Sequence, residues 1–289
     1  MGDKVKYLDH FYEDWFLDYA SYVILERAVP KQEDGLKPVQ RRILHSMFEM
    51  HDNRFHKVAN IIGHSMKYHP HGDASMGDAL VNLTHRSLLI ETQGNFGDIR
   101  TGDRAAAPRY IEAKLSDFAI DVAFNNRLTD YQDSYDGRNK EPIQLPMKFP
   151  LLLLNGAEGI AVGLSTKILP HNFNELIKAS VSILKNKSFK IFPDFQTGGL
   201  IDVDNYKKGK KGSKIRIRST IEIMAKDKLT IKSVPYSTNT TSLIDSIIKA
   251  NDNGKIKIKN IEDNTAEDVD ITITLPKGIS PDQTIDGLY

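Results

Sequence analysis

Arg109 and Tyr110 stand side by side in the chain, directly after three alanines and a proline. A tyrosine phenol can act as a covalent nucleophile, although a free phenol is mostly protonated at neutral pH. A permanently charged guanidinium favours the phenolate and stabilises charge that develops on a phosphoryl group. The pair therefore predicts attack on a phosphodiester, by which a protein breaks nucleic acid and holds the new end. A half-buried tyrosine beside a solvated arginine is the commoner interpretation of such a dipeptide, so its surroundings must decide.

His69 and His71 flank Pro70 and offer a second kind of chemistry. Paired histidines ligate a divalent metal in rolling-circle nucleases, which also use a tyrosine nucleophile, and would here give a metal-dependent nickase. Those histidines lie on a central strand, where a proline removes a hydrogen-bond donor, and no carboxylate–histidine cluster stands nearby in this sequence. We therefore predict no metal site and favour phosphate contact and proton handling beside the nucleophile. A purely structural role for the histidines stays open.

The composition sets broad limits on the function. The chain has 289 residues, a net charge of +1 and no cysteine, which excludes disulfides and thiolate chemistry. No apolar run approaches the roughly 18 residues that span a bilayer, and charged residues interrupt the segment where a signal peptide would lie. We expect a cytoplasmic protein without a membrane anchor. A basic run at 207–218 is either a phosphate-binding surface or a solvated loop.

The elements that position these residues follow from the periodicity of the sequence. Helical spacing predicts a long helix at 4–29, which Pro30 ends, and another that begins near Pro38. Helices at 57–66 and 74–84, joined by the histidine turn, predict a helix-turn-helix. A strand at 88–91 and a glycine-rich loop at 92–98 complete winged-helix order. A helical run is expected from Tyr110 to Phe124.

The character of the sequence changes at about 150–165. Beyond this point β-branched and alternating runs predict strands, and helical spacing predicts two helices. The strands are expected at 215–217, 229–234, 256–258 and 269–275, and the helices at 174–185 and 242–251. Glycines at 156, 159 and 163 lack the neighbouring lysine and hydroxyl residue of a P-loop, so we predict close backbone packing there and no ATP site. The fold class is α+β, a winged-helix part followed by an α/β part.

Six motifs occur in order along the chain: 34–42 (DGLKPVQRR), 67–73 (KYHPHGD), 93–97 (QGNFG), 105–110 (AAAPRY), 155–163 (NGAEGIAVG) and 168–172 (ILPHN). Together they closely resemble the A subunits of bacterial type IIA topoisomerases, and they cover nearly the whole chain. A shorter match lies at 27–30 (RAVP). The segments 135–142 and 167–176 are more similar to the A subunit of topoisomerase IV than to that of gyrase.

The resemblance implies a role for each site residue. Tyr110 attacks a backbone phosphate and becomes linked to the 5′ end, and Arg109 stabilises the transition state. Ile168 matches an isoleucine that wedges between bases and bends the DNA, with the unstacking cost offset by contacts to the bent duplex. The residues that line the DNA-phosphate site are Arg27, Lys37, Arg41, Arg42, His69 and His71.

The resemblance also implies partners and an organisation. The partners are double-stranded DNA and the B subunit of topoisomerase IV, or of gyrase, in a heterotetramer built on a homodimer of this chain (A2B2). Magnesium and ATP belong to the B subunit, so this chain binds no cofactor and the isomerase is active only with that partner. The expected parts are an arm at 1–30, a winged-helix DNA-cleavage domain at 31–155 and an incomplete tower domain at 156–289. The family's coiled coil and DNA-wrapping domain are not in this sequence, which we take as an N-terminal breakage-reunion fragment that alone only binds DNA. Its expected place is the nucleoid, in relaxation, decatenation and chromosome segregation.

Three positions depart from the gyrase pattern. Gln40 replaces a histidine, and Asn82 stands where gyrase carries a basic residue. Ala74 replaces the serine that anchors the metal–water bridge of a quinolone drug, whose acidic partner is Asp78, so we expect weak quinolone action. Two functions stay open beside a topoisomerase IV subunit: the A subunit of DNA gyrase, and a non-catalytic winged-helix module that binds duplex DNA in a salt-sensitive way without a covalent adduct.

Overall fold

A computed structural model describes residues 11–210 and 212–289. The part of the predicted first helix before residue 11 lies outside the described residues. The chain divides into two compact units, of which the first comprises residues up to Phe96 and Ala106–Pro193. The second comprises Gly97–Ala105 and Asp194–Tyr289. Helices and small antiparallel sheets occur in the chain together, which confirms the α+β class.

The helices of the first unit are α1 (Phe16–Val23), α2 (Pro38–Glu49), α3 (Val58–Ser65), α4 (Asp73–Thr84), α5 (Asp117–Ala123), α6 (Leu151–Asn155) and α7 (Phe173–Leu184). Two π-helical turns, Phe11–Trp15 and Ile24–Ala28, flank α1. The strands are β1 (His56–Lys57), β2 (Ile90–Gln93), β3 (Glu112–Leu115), β4 (Tyr131–Asp133), β5 (Lys140–Pro142), β6 (Ala157–Ile160) and β7 (Ser165–Ile168).

Helices α2, α3 and α4 pack against one another around buried apolar side chains. These side chains recur three or four residues apart, as the helical pattern requires. They include Ile43, Leu44, Ile61, Met76 and Leu80. Strands β1, β3 and β2 form an antiparallel sheet in that order, with β3 in the centre. This arrangement places a helix–turn–helix beside a small sheet; the winged-helix assignment itself stays a prediction.

The predicted helix from Tyr110 to Phe124 is wrong in its first half, because β3 occupies 112–115. Ala113 and Leu115 are buried while Glu112 and Lys114 are half-buried, which is the alternation of a strand. Pairing with β1 and β2 on both sides satisfies the backbone of β3 without a helix. The helix starts only after Ser116, whose hydroxyl accepts a hydrogen bond from the amide of Ala119.

The second unit contains β8 (Leu200–Asp202), β9 (Arg216–Arg218), β10 (Ile221–Ala225), β11 (Lys228–Ile231), α8 (Thr240–Asp252), β12 (Asn260–Asp263), β13 (Ile271–Thr274) and α9 (Pro281–Leu288), with a 3₁₀ turn at Lys207–Gly209. Strands β10, β11, β13 and β12 form an antiparallel sheet in that order. The buried face of this sheet packs against Ile247 of α8 in one apolar core.

The strand predicted at 256–258 is wrong, since β12 begins only at Asn260. Ile256 is buried in the core of the second unit, which explains its apolar character. The amide of Ile258 donates to the side chain of Asn251 at 3.0 Å instead of to a neighbouring strand. The predicted domain limits at residues 30 and 155 stay a prediction; the division into compact units falls at residue 193.

The loop Gly97–Ala105 belongs to the second unit although its flanks belong to the first. The carbonyl of Arg100 accepts a hydrogen bond from the amide of Thr240, the first residue of α8, at 2.8 Å. Gly102 has φ +80°, and a Cβ there would lie 2.4 Å from Nδ2 of Asn239. This loop is therefore fitted closely against the start of α8.

Candidate nucleic-acid site

Tyr110 lies just before the central strand β3, and its side chain is 64% exposed. The guanidinium carbon of Arg109 stands 4.5 Å from the centre of the Tyr110 ring, a cation–π contact. The first two amides of α3 have no partner within their helix, and they hold the backbone on both sides of the pair. The amide of Val58 donates to the carbonyl of Ile111 at 3.0 Å, and that of Ala59 to Pro108 at 3.1 Å. An exposed phenol with a cation against its ring is thus carried on a fixed backbone.

The turn between α3 and α4 brings His69 and His71 together, with ring centres 4.9 Å apart and planes at 86°. His69 is buried, and its Nδ1 lies 3.2 Å from Nη1 of Arg42. Burial, and next the positive charge of Arg42, lower the pKa of His69 to about 4. His69 is therefore neutral at physiological pH and can accept a hydrogen bond from Arg42.

Tyr22 of α1 joins this group to the N-terminal helix. Its phenol is hydrogen-bonded to Nε2 of His71, and the guanidinium carbon of Arg27 lies 5.7 Å from the centre of its ring. Four of the predicted phosphate-site residues, Arg27, Arg42, His69 and His71, thus belong to one connected network. Nothing in the sequence distinguishes Tyr22, because an aromatic residue at helical spacing most often indicates core packing.

Arg41 and Arg42 are buried, with 4% and 8% of their surfaces exposed. Arg41 makes two contacts with the carboxylate of Asp34, Nε–Oδ2 at 2.6 Å and Nη2–Oδ1 at 2.9 Å. Arg42 makes two with Glu141, Nε–Oε2 at 2.5 Å and Nη2–Oε1 at 2.8 Å. Both guanidiniums therefore lie in internal ion pairs. A residue that lines a phosphate site would instead lie on an open surface.

Lys37 is half-buried, and its ammonium donates to the carbonyl of Glu158 at 2.7 Å. Burial lowers the pKa of Lys37, while the charge of Glu158 opposes this effect. The side chain of Gln40 accepts a hydrogen bond from the amide of Lys37 at 2.9 Å and so caps the start of α2. Gln40 therefore has a local structural function.

Ile168 is the last residue of β7, half-buried and paired with Ala157 at the base of the β6–β7 hairpin. Ile160, at the other end of the hairpin, is 81% exposed. The sequence does not show that Ile160 is exposed, because its neighbours have the pattern of an ordinary strand.

The two predicted drug-site positions, Ala74 and Asp78, are both exposed and lie one turn apart in the first half of α4.

Two further features concern metals and membranes. Within residues 11–210 and 212–289, no three histidine, aspartate or glutamate side chains are grouped so that they could hold a metal ion. None of the helices in these ranges is both long and apolar enough to cross a lipid bilayer.

Comparison with known proteins identifies the family. The family model for the A subunit of DNA gyrase/topoisomerase IV matches residues 27–289. The DNA topoisomerase 4 A subunit of Borreliella burgdorferi is 51% identical over 277 residues, which cover 96% of this chain and 44% of the relative. The DNA gyrase A subunit of Metamycoplasma arthritidis is 38% identical over 302 residues, with 95% and 33% covered. That of Clostridium acetobutylicum is 37% identical over 301 residues, with 95% and 36% covered. This chain spans less than half the length of these relatives, and it belongs to the family of DNA gyrase/topoisomerase IV A subunits.

Proposed function

We propose that this chain is the DNA breakage-reunion region of a type IIA topoisomerase, of the topoisomerase IV kind. The observation that carries the proposal is the exposed phenol of Tyr110 with the Arg109 guanidinium against its ring, on a backbone held by α3. The identity of 51% to a topoisomerase 4 A subunit, against 38% to a gyrase A subunit, favours topoisomerase IV over gyrase.

The proposed reaction is a transesterification. The phenolic oxygen of Tyr110 gives up its proton to water and attacks the phosphorus of a backbone phosphodiester. The bond from phosphorus to the 3′ oxygen breaks, the 3′ oxygen takes up a proton, and a 5′-phosphotyrosine forms. The reverse attack religates the strand, and since the ester bond is conserved neither step consumes ATP. Arg109 stabilises the charge on the phosphoryl oxygens.

The other predicted residues take roles that fit their surroundings. Arg27 is exposed, and His71 and Lys37 are half-buried, so these three are the proposed phosphate contacts. Arg41, Arg42 and His69 are buried, and their proposed role is to hold the three contact residues in place from inside the fold. Ile168 keeps its proposed role as the wedge that bends DNA, and Ala74 with Asp78 marks the proposed quinolone position.

The proposed assembly is a heterotetramer. A homodimer of this chain acts on double-stranded DNA together with two B subunits, to which magnesium and ATP are assigned. The winged-helix domain at 31–155 and the tower domain at 156–289 are the proposed parts, preceded by the arm at 1–30. The proposed cellular roles are relaxation and decatenation of DNA during chromosome segregation. Their proposed place is the nucleoid, in the cytoplasm.

A cleavage assay tests the nucleophile. The chain is mixed with a topoisomerase IV B subunit, magnesium and supercoiled plasmid, stopped with detergent, and protein-linked DNA is measured. Tyr110→Phe abolishes the covalent adduct, while Tyr135→Phe keeps it, because Tyr135 is similarly exposed (58%) but lies in the β4–β5 turn. Adducts that persist in Tyr110→Phe refute the assignment. Salt-sensitive DNA binding without any adduct in the wild type would favour the non-catalytic module, and cutting by this chain alone with a divalent ion would favour the nickase.

A further inference from the structure

Tyr22 belongs to the network around His71, yet the proposed function gives it no role. Its side chain is half-buried and makes two contacts, a hydrogen bond between its phenol and Nε2 of His71 and a ring face against Arg27. The rings of Tyr22 and His71 are 5.9 Å apart and nearly perpendicular, at 78°. One side chain therefore touches two of the three proposed phosphate contacts.

Arg27 belongs to the π-helical turn Ile24–Ala28, and Tyr22 lies in α1 just before this turn. In an α-helix, residues five apart point about 140° away from each other at 3.6 residues per turn. A π-helix is bonded from i to i+5, so residues five apart lie almost above one another. The amide of Val29 indeed donates to the carbonyl of Ile24 at 3.3 Å. Arg27 lies in this wider turn, and its guanidinium stands over the ring face of Tyr22.

The hydrogen bond favours one tautomer of His71, because a phenol is a stronger donor than a neutral imidazole N–H and an imidazole nitrogen is a stronger acceptor than a phenol oxygen. A phenol that donates its proton to Nε2 makes that nitrogen the acceptor, so the ring proton lies on Nδ1. An Nδ1–H group can then donate to a phosphate oxygen, which accepts hydrogen bonds only. Without the phenol, nothing in the described network favours this tautomer, because His69 meets His71 through a ring edge and not through a hydrogen bond.

We propose that Tyr22 is a positioning residue of the DNA-phosphate site, which holds His71 as an Nδ1–H donor and carries Arg27 beside it. This inference rests on the proposed function. The charged and titratable groups around the two histidines are Arg42 of α2, Glu141 of β5, and Glu26 and Arg27 of the π-helical turn. None of them replaces the Tyr22 phenol, since the bonds of Arg42 go to His69, Glu26 and Glu141.

The first experiment measures the tautomer and needs no cleavage. The ¹⁵N chemical shifts of histidine rings distinguish Nδ1–H from Nε2–H, and His71→Gln assigns the signal of His71. We expect the Nδ1–H form in the wild type and a shift toward Nε2–H in Tyr22→Phe, which keeps the ring. Tyr19→Phe is the control, because Tyr19 lies three residues earlier on the same helix and is 54% exposed. The same tautomer in wild type and Tyr22→Phe overturns the inference.

The second experiment measures cleavage across pH, in single-turnover conditions, by the complex with magnesium and the B subunit. Loss of one hydrogen bond predicts a rate about two- to tenfold lower in Tyr22→Phe, with an altered pH profile. If Tyr22 acts through His71, Tyr22→Phe causes no further loss in a His71→Ala background. Additive losses, or equal rates for Tyr22→Phe and Tyr19→Phe, overturn the inference. If the wild type forms no adduct, the proposed function is refuted. The tautomer experiment still decides whether Tyr22 positions His71.

Discussion

Replacing Glu141 by glutamine removes one charge from the buried ion pair with Arg42. The side chains of Arg42 and Glu141 are only 9% and 4% exposed, so an unpaired guanidinium would stay in a poorly solvated place. Breaking such a pair costs about 3–5 kcal/mol. Glu26 also contacts Arg42, at 3.3 Å, and is more exposed, so it compensates in part. We therefore expect the lower end of the range, about 3 kcal/mol.

Calorimetry of the purified chain measures this loss. The first unit has roughly 180 residues, for which 3 kcal/mol corresponds to a fall of about 6–12 °C in its unfolding temperature. Asp133→Asn is the matched control, because Asp133 pairs with Lys140 in the same hairpin at 2.6 Å but both side chains are more than 60% exposed. A surface pair contributes about 0–1 kcal/mol. Equal falls for the two variants would refute the claim that burial of the Arg42–Glu141 pair is what makes it important.

Two further predictions concern acid and backbone conformation. Because the pKa of His69 lies at about 4 in the folded chain and near 6.5 in an unfolded one, the unfolded chain binds more protons between these values. The unfolding free energy should therefore fall by on the order of 1–2 kcal/mol, allowing for solvent screening, from about pH 7 to pH 4; urea titrations of His69→Gln that show the same loss as wild type would contradict this. Gly102→Ala should cost about 2 kcal/mol, roughly half from its positive φ and half from displacing Asn239, whose side chain caps α8. Gly254→Ala, also at positive φ but with open space around it, should cost only about 1 kcal/mol, and equal costs in chemical unfolding would exclude the clash with Asn239.

Local sequence signals predicted the elements around the site well. Helix α2 begins at the expected proline, and α3 and α4 begin and end within one residue of their expected positions, since each combines a start signal with an apolar period. The strand β3 could not be predicted in this way, because its residues also fit a helical pattern. What makes it a strand is pairing with β1 and β2, whose residues lie roughly 20 to 60 positions away in the chain.

In the candidate site, too, the placement of some residues depends on their sequence neighbours and that of others on residues far away in the chain. Tyr110 and Arg109 are exposed and adjacent, so their placement depends on few other residues. The burial of Arg42 depends on Glu141, 99 residues away, and that of Arg41 on Asp34, which also accepts from the amide of Leu145, 111 residues away. The residues next to a basic cluster in the sequence do not reveal whether distant carboxylates will pair with it. An arginine that supports a site and one that touches its ligand therefore look alike until the chain has folded.

The loop Gly97–Ala105 has a consequence for how the protein is made. It leaves the ribosome about 135 residues before Asn239 and Thr240, against which it packs. At about 5–20 residues per second, the delay is roughly 7–27 s. During that time the first unit can fold, but the loop Gly97–Ala105 lacks its contacts with Asn239 and Thr240 and is more open to proteases. The loop before Tyr110 therefore reaches its final packing only after the start of α8 has been synthesised, and a chain released before that point would carry this loop without those contacts.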